Sequence, residues 1–276
     1  MVKTIFRLWS IYARMDLMWL MKDTNNFIIY MVTDVLINIA AVTGIWLIAQ
    51  QFNGIGSMNV YQVLFMLGYS LTVGGLENVF FNFNVYYISR KIGRGQMDHM
   101  LIMPQPVWIT LLTEGFTPVS GSGVFISGLG IMIFAMTRIG SLVSPLFIIA
   151  LAACILFSLI ISLSFSYLWG SLAFYSPVGA EEICTSVNSL FSSLRGFPLN
   201  GVGLVSEFVM LSVLPVGLYA WFPASALLGI SGSYNIAILA LIALAYISLV
   251  YIIFRRGLKY YAEHGSSRYH DRGHRR

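Results

Sequence analysis

The sequence predicts an all-α integral membrane protein with six transmembrane helices, and three observations carry that prediction. The composition is 58% hydrophobic and only 10% charged, far from the roughly one-quarter charged residues of a water-soluble domain. Six nearly charge-free stretches, at 24–50, 59–85, 107–137, 142–172, 203–222 and 233–254, are each long enough to cross about 30 Å of hydrocarbon at about 1.5 Å per residue. The third observation is where the basic residues fall. If both termini lie inside, the inner segments hold Lys3, Arg7, Arg14, Lys22, Arg90, Lys91, Arg94, Arg195, Arg255, Arg256, Lys259, Arg268, Arg272, Arg275 and Arg276, while the outer loops hold Arg138 alone. That asymmetry fixes a multi-pass topology with both termini cytoplasmic, in a single membrane domain over 1–276.

Residues 1–22 read as an interfacial helix. Lys3, Arg7, Ser10 and Arg14 stack on one face, and Ile5, Phe6, Leu8, Trp9, Ile11 and Tyr12 fill the rest, a pattern suited to an anionic headgroup layer. Arg14, Asp16, Lys22 and Asp23 interrupt the apolar run, so a cleavable signal is not expected. After the second span, Arg90, Lys91 and Arg94 hold a loop inside, and Pro104 and Pro106 stop it before the third span. Between them residues 95–103 form a short helix with Asp98 and His99 outward and Met97, Met100 and Leu101 opposite, a build suited to docking into a groove of another protein.

The third and fourth spans carry small residues. Ser120, Gly121, Ser122, Gly123, Ser127, Gly128 and Gly130 mark the one, and Ser158, Ser162, Ser166 and Gly170 the other; both predict close helix packing. Over 178–197, Ile183, Val187, Leu190, Phe191 and Leu194 make one apolar face, with Glu181, Glu182, Ser186, Asn188 and Ser193 on the remainder. This predicts an amphipathic helix on the inner surface. In the fifth span Pro215 and Gly217 weaken the helix, and Pro223 follows Tyr219, Trp221 and Phe222, so a shallow re-entrant turn is expected at the outer leaflet. Residues 255–276 form a basic cytoplasmic tail.

Four acids, Asp34, Glu77, Glu114 and Glu207, fall within the inner halves of the spans, where an unpaired charge is costly. Asp34 shares a face with Asn38, and Asn78 shares one with Asn82 beside Glu77. One reading makes Asp34, Asn38, Glu77, Asn78, Asn82 and Glu207 the lining of a cavity open to the cytoplasm. The other pairs the acids with Arg90, Arg94 or Arg195.

Several function classes are excluded or weakened. A GxxxxGK[ST] loop is absent, as are HExxH and GxSxG, so neither a nucleotide cofactor nor a catalytic site is expected in the chain. Cys154 and Cys184 sit in no outer loop, which leaves no disulfide framework. His270 and His274 are spaced to share a helix face around Asp271, but in a solvated basic tail they give no metal site. The net charge of +5 follows from topology and anionic lipid, with no need for nucleic acid.

Three segments together resemble the ABC-2-type exporter permeases. RKIGRGQMDHMLIMPQP carries the family's G-x-x-D-x-x-L-x-x-P loop at Gly95, Asp98, Leu101 and Pro104, with Met103 where a basic residue is common. LPVGLYAWFPASALLG resembles the segment before the last span through Pro215, Tyr219, Pro223 and Ala224, and RRGLKYYAEHGS resembles the basic, tyrosine-containing ending. The resemblance covers essentially the whole chain. It implies a permease of the bacterial inner membrane that pairs with a second permease, identical or related, and binds separate ATPase subunits that hold ATP and Mg²⁺. Arg90, Gly93, Arg94, Gly95, Asp98, His99, Leu101 and Pro104 would form the coupling helix and its flanks, and Pro215, Tyr219, Trp221, Phe222 and Pro223 an outer gate. The cargo would be a small amphipathic, cationic or lipid-like molecule. The rival reading, a stand-alone secondary transporter or channel, calls for inverted repeats and midplane ions, which the sequence lacks; a lipid-handling membrane enzyme would need an interfacial catalytic cluster.

Overall fold

The computed structural model describes residues 2–140, 144–199, 203–232 and 234–265. The described residues form helices joined by turns and short loops, with a lone bridge between Ile55 and Met58. In order it forms α1 (Val2–Lys22), α2 (Thr24–Gln51), α3 (Val60–Gly93), α4 (Gln96–Leu101), α5 (Val107–Thr113), α6 (Ser122–Ile139), α7 (Pro145–Gly170), α8 (Pro177–Leu194), α9 (Leu204–Ser212), α10 (Val216–Tyr219), α11 (Trp221–Leu227) and α12 (Tyr234–His264). Among the described residues, α2, α3, α6, α7 and α12 are each long and apolar enough to span a bilayer. Residues 205–227, in α9 to α11, are so only as a pair bent by 65°.

Local chemistry sets the helix ends. Asn59 Oδ1 accepts the Gln62 N–H at 2.9 Å and Gln62 Oε1 accepts the Asn59 N–H at 2.8 Å, a capping box that starts α3. Ser144 Oγ accepts the Phe147 N–H at 3.1 Å, with Pro145 in the first turn of α7. The turn from α3 into α4 runs through Gly95 at φ +74°, a left-handed conformation that glycine adopts without steric cost.

The central helix is α3. Within its apolar window 83% of residues are buried, against 6% for α2. It meets α6 backbone to backbone: a Cβ at Gly68 would lie 2.6 Å from Met132 N, and one at Gly128 would lie 2.5 Å from Thr72 N. Small residues on both helices permit this approach. On the other side, the α7 stripe of Ser158, Ser162, Ser166 and Gly170 is buried. Ser158 Oγ lies 2.8 Å from the Tyr69 hydroxyl of α3, and Ser166 donates to Asn188 Oδ1 of α8 at 2.8 Å.

Four expectations need correction. The third span is not one helix: it breaks into α5 and α6 around residues 114–121. Gly115, Pro118 and Gly121 disfavour helix there, and other elements satisfy the freed donors. The Thr117 N–H donates to Val79 O at 2.8 Å and its hydroxyl to Asn78 O at 2.9 Å, while Asp16 Oδ2 of α1 accepts the Val119 and Ser120 N–H groups at 2.8 and 3.1 Å. Buried non-helical backbone is tolerated only when paired in this way. Helix α1 therefore does more than lie in an interface: Trp9 stacks on Phe116 at 5.3 Å and meets Phe80 edge-on at 5.5 Å, while Lys3, Arg7 and Arg14 stay exposed.

The second correction is α8. Two ion pairs fix its direction: Glu181 meets Arg90, and Arg195, just past its end, meets Glu77. Partners fourteen residues apart in α8 thus match positions thirteen apart in reverse order on α3, so α8 runs antiparallel beside the lower part of α3 and does not lie flat on a surface. Its buried face is Ala180, Cys184, Asn188 and Phe191, whereas Ile183 and Leu190 are exposed. Asn188 is buried because Ser166 and Cys184 Sγ give it partners. Third, Arg195 is not an inner-loop surface charge but a largely buried partner of Glu77, as the pairing reading of the intramembrane acids expected. Fourth, Arg90, Lys91 and Gly93 belong to α3 itself, which continues through the expected start of the loop.

A second, smaller core sits at the basic end. Ile88, Ile92, Met97, Met100, Leu111, Phe174, Ala180 and Tyr261 pack together there, tying α3, α4, α5, α8 and the end of α12 into one unit.

Candidate functional site

Two groups of the expected residues gather at different depths of α3. At its basic end, Met97 and Met100 anchor α4 in the smaller core. Arg94, Asp98, His99, Leu101 and Pro104 are exposed. Leu101 was expected on the buried side; it instead joins Ile102, 78% exposed, and Met103 in an apolar tip. Arg90 and Lys91 brace the base of this knob. Arg90 Nε donates to Glu181 Oε1 and Lys91 Nζ to Glu114 Oε2, each at 2.7 Å. Burial and the nearby Glu114 carboxylate push the Tyr12 hydroxyl of α1 up from its ordinary value, which places α1 in the same frame.

Deeper along α3 lies a cluster drawn from three segments. Arg195 Nη1 donates to Glu77 Oε2 and to the Tyr219 hydroxyl, both at 3.2 Å, and the Tyr219 hydroxyl donates to the same Glu77 oxygen at 3.3 Å. The guanidinium lies over the Tyr219 ring, 5.3 Å from its centroid. Room for it comes from Gly74: a Cβ there would stand 2.8 Å from Arg195 Nη2. Glu77 Oε1 makes no hydrogen bond among the described residues.

Asp34, Asn38 and Asn78 form a separate polar group between α2 and α3. Asn38 Nδ2 donates to Asp34 O at 2.8 Å and to Asp34 Oδ1 at 3.2 Å, and Asn78 Nδ2 reaches Asp34 Oδ2 at 3.5 Å. All three side chains are half-buried. Glu207, half-buried in α9, shares no hydrogen bond or ion pair with this set among the described residues. The side chains of Asn82, Tyr86 and Tyr87, and the tail with His270 and His274, lie outside the described residues.

The five residues expected at the outer gate divide. Pro215, Tyr219 and Pro223 are buried, and Trp221 and Phe222 pack on one another at 6.4 Å. Tyr219, however, bonds to Glu77, which lies eighteen residues past the Asn59 cap of α3, or about 27 Å down the helix. The segment thus reaches deeper than a shallow outer turn.

Three structural residues went unread in the sequence. Asp16 had a signal, since it lies off the Lys3–Arg7–Arg14 face. The α3 glycines had a weaker one, Gly68 as an isolated small residue and Gly74 as half of a Gly-Gly pair in an apolar helix.

Comparison with known proteins agrees with this architecture. No curated protein and no solved structure matches the chain. The sequence model of a family described as ABC-2 family transporter protein matches residues 35–265, which takes in most of α2 and all the later spans, with α4 and the Glu77–Arg195–Tyr219 cluster. The chain therefore belongs to the ABC-2 transporter family.

Proposed function

We propose that this chain is the permease subunit of an ATP-driven exporter of the bacterial inner membrane, with both termini and α4 on the cytoplasmic side. The family supports association with an ATPase subunit, and the asymmetry of lysine and arginine supports the orientation. ATP and Mg²⁺ act on that ATPase. A second permease, identical or related, completes the path for a small amphipathic, cationic or lipid-like cargo.

The observation that carries the reading is the build of α4. Its underside is locked into the bundle by Met97 and Met100, while Leu101, Ile102 and Met103 project outward beside Asp98 and His99. An exposed apolar tip on a braced helix fits a groove in a partner. Movement imposed there passes into α3, a single helix from Val60 to Gly93, and so to Glu77. A tilt of α3 against α8 and α10 has to disturb the Glu77–Arg195–Tyr219 cluster, which makes the cluster the two-state element of transport. Asp34, Asn38 and Asn78 line the inward-facing part of the path, and Trp221, Phe222 and Pro223 close its outer part.

Two substitutions test the coupling. Gly95→Pro forbids the left-handed turn, since proline is held near φ −65°, and Asp98→Ala removes the exposed acid of α4. Each is expected to leave the complex assembled and hydrolysing ATP while export falls. Unchanged export in both variants would count against α4 as the coupling element.

A further inference from the structure

The lower halves of α7 and α12, with α5 and the edge of α3, enclose a lateral groove of about 450 Å³, within the range of about 300–1,000 Å³ usual for small-ligand sites. Leu111, Leu156, Leu163, Val250 and Phe254 make its wall, and its polar groups are few: the hydroxyls of Ser164, Tyr167 and Tyr251 and the indole of Trp108. From the far ends of their helices, the groove begins eleven residues along α7 at Leu156 and closes twenty residues along α12 at Phe254. That places it between about 17 and 30 Å of depth, the thickness of one leaflet's hydrocarbon. Where the apolar wall stops, Arg255, Arg256 and Lys259 follow at once, all exposed. Arg255 Nη1 donates to the hydroxyl of Tyr251, a residue of the groove's wall, at 3.3 Å, and the guanidinium makes no other hydrogen bond among the described residues.

We propose that this groove is a binding site for one anionic glycerophospholipid of the inner leaflet, with an acyl chain along Leu163 and Val250 and the phosphate on Arg255. The inference rests on α7 and α12 being spans with their C-terminal ends inside, and it is independent of what the transporter exports. An apolar slot one leaflet long, ending in a cationic fork beside Trp108 and Tyr251, matches an acyl chain and its headgroup in both length and charge.

The test uses the full-length chain in mild detergent, offered phosphatidylglycerol and phosphatidylcholine of identical chain length, with retained lipid counted by native mass spectrometry. The expected result is one phosphatidylglycerol per chain, favoured over phosphatidylcholine by about fivefold, the equivalent of about 1 kcal/mol for one arginine at a surface. Arg255→Gln should bring the two lipids to parity. Leu163→Trp, which fills the slot, should lower retention of both, and Ile149→Trp on the exposed face of α7 should lower neither. Equal retention of the two lipids by the unaltered chain would overturn the proposal. So would a preference that survives Arg255→Gln, an exposed substitution that decides the matter even if Leu163→Trp fails to fold.

Discussion

Glu77 and Lys91 stand fourteen residues apart on one helix, and each meets an opposite charge, yet the two pairs are built for different work. Glu77 and Arg195 have side chains only 4% and 17% exposed, and Tyr219 and Phe191 wall them in. Lys91 is as hidden as the first pair, at 9%, but its partner Glu114 is 32% exposed. A third pair, Arg90 with Glu181, is more open still, at 41% and 31%. Burial therefore orders the pairs by how little solvent can replace the lost partner. The most buried one joins three segments, α3, the end of α8 and α10.

That ordering can be broken by substitution. The largest loss is expected for Arg195→Leu, which leaves Glu77 buried without its counter-charge. Removing one member of a buried pair costs about 3–5 kcal/mol, so thermal unfolding in detergent should come markedly earlier, and Glu77→Leu in the same chain should restore much of it. If the single variant unfolds like the parent, the pair is incidental. Lys91→Met comes next. It removes a charged hydrogen bond worth about 1.5–3 kcal/mol, and part of that is recovered because Glu114 can reach water. Glu181→Ala should be nearly silent, within about 1 kcal/mol, and the little it costs should shrink in high salt. A reversed order for these three variants would refute the ranking by burial.

Two acids within the spans, Glu77 and Asp34, sharpen the same contrast. Glu77→Gln is expected to reduce folded yield. Asp34→Asn, with only asparagine neighbours and half-exposed surroundings, is expected to keep yield and to change which cargo is carried. Equal yields with equal cargo profiles would remove both acids from the account.

The spans and the α4 loop were legible because their signals are local. Charge-free length marks α2, α3, α7 and α12, and Gly95 with Pro104 and Pro106 brackets α4. Features that depend on a distant partner were not legible. The α8 face was mispredicted because Asn188 looks exposed until Ser166 arrives from α7 to bond it. The 114–121 break reads as apolar helix until Asp16, more than a hundred residues earlier, takes up its backbone donors. Arg195 was legible as a possible partner for the acids in the spans, but Tyr219 was assigned to an outer gate. Only the fold shows that both reach the same Glu77 oxygen.

The central claim is that the exposed tip of α4 is where a separate ATPase engages this permease. Its most direct test is purification of the tagged chain from its native membrane in mild detergent, as the parent and as Ile102→Asp, with the subunits that accompany each identified and counted. The account predicts one ATPase per permease with the parent and its loss with Ile102→Asp, while the variant permease itself remains folded and inserted. A parent permease that comes away without any ATPase, or a variant that retains a full complement, would contradict it.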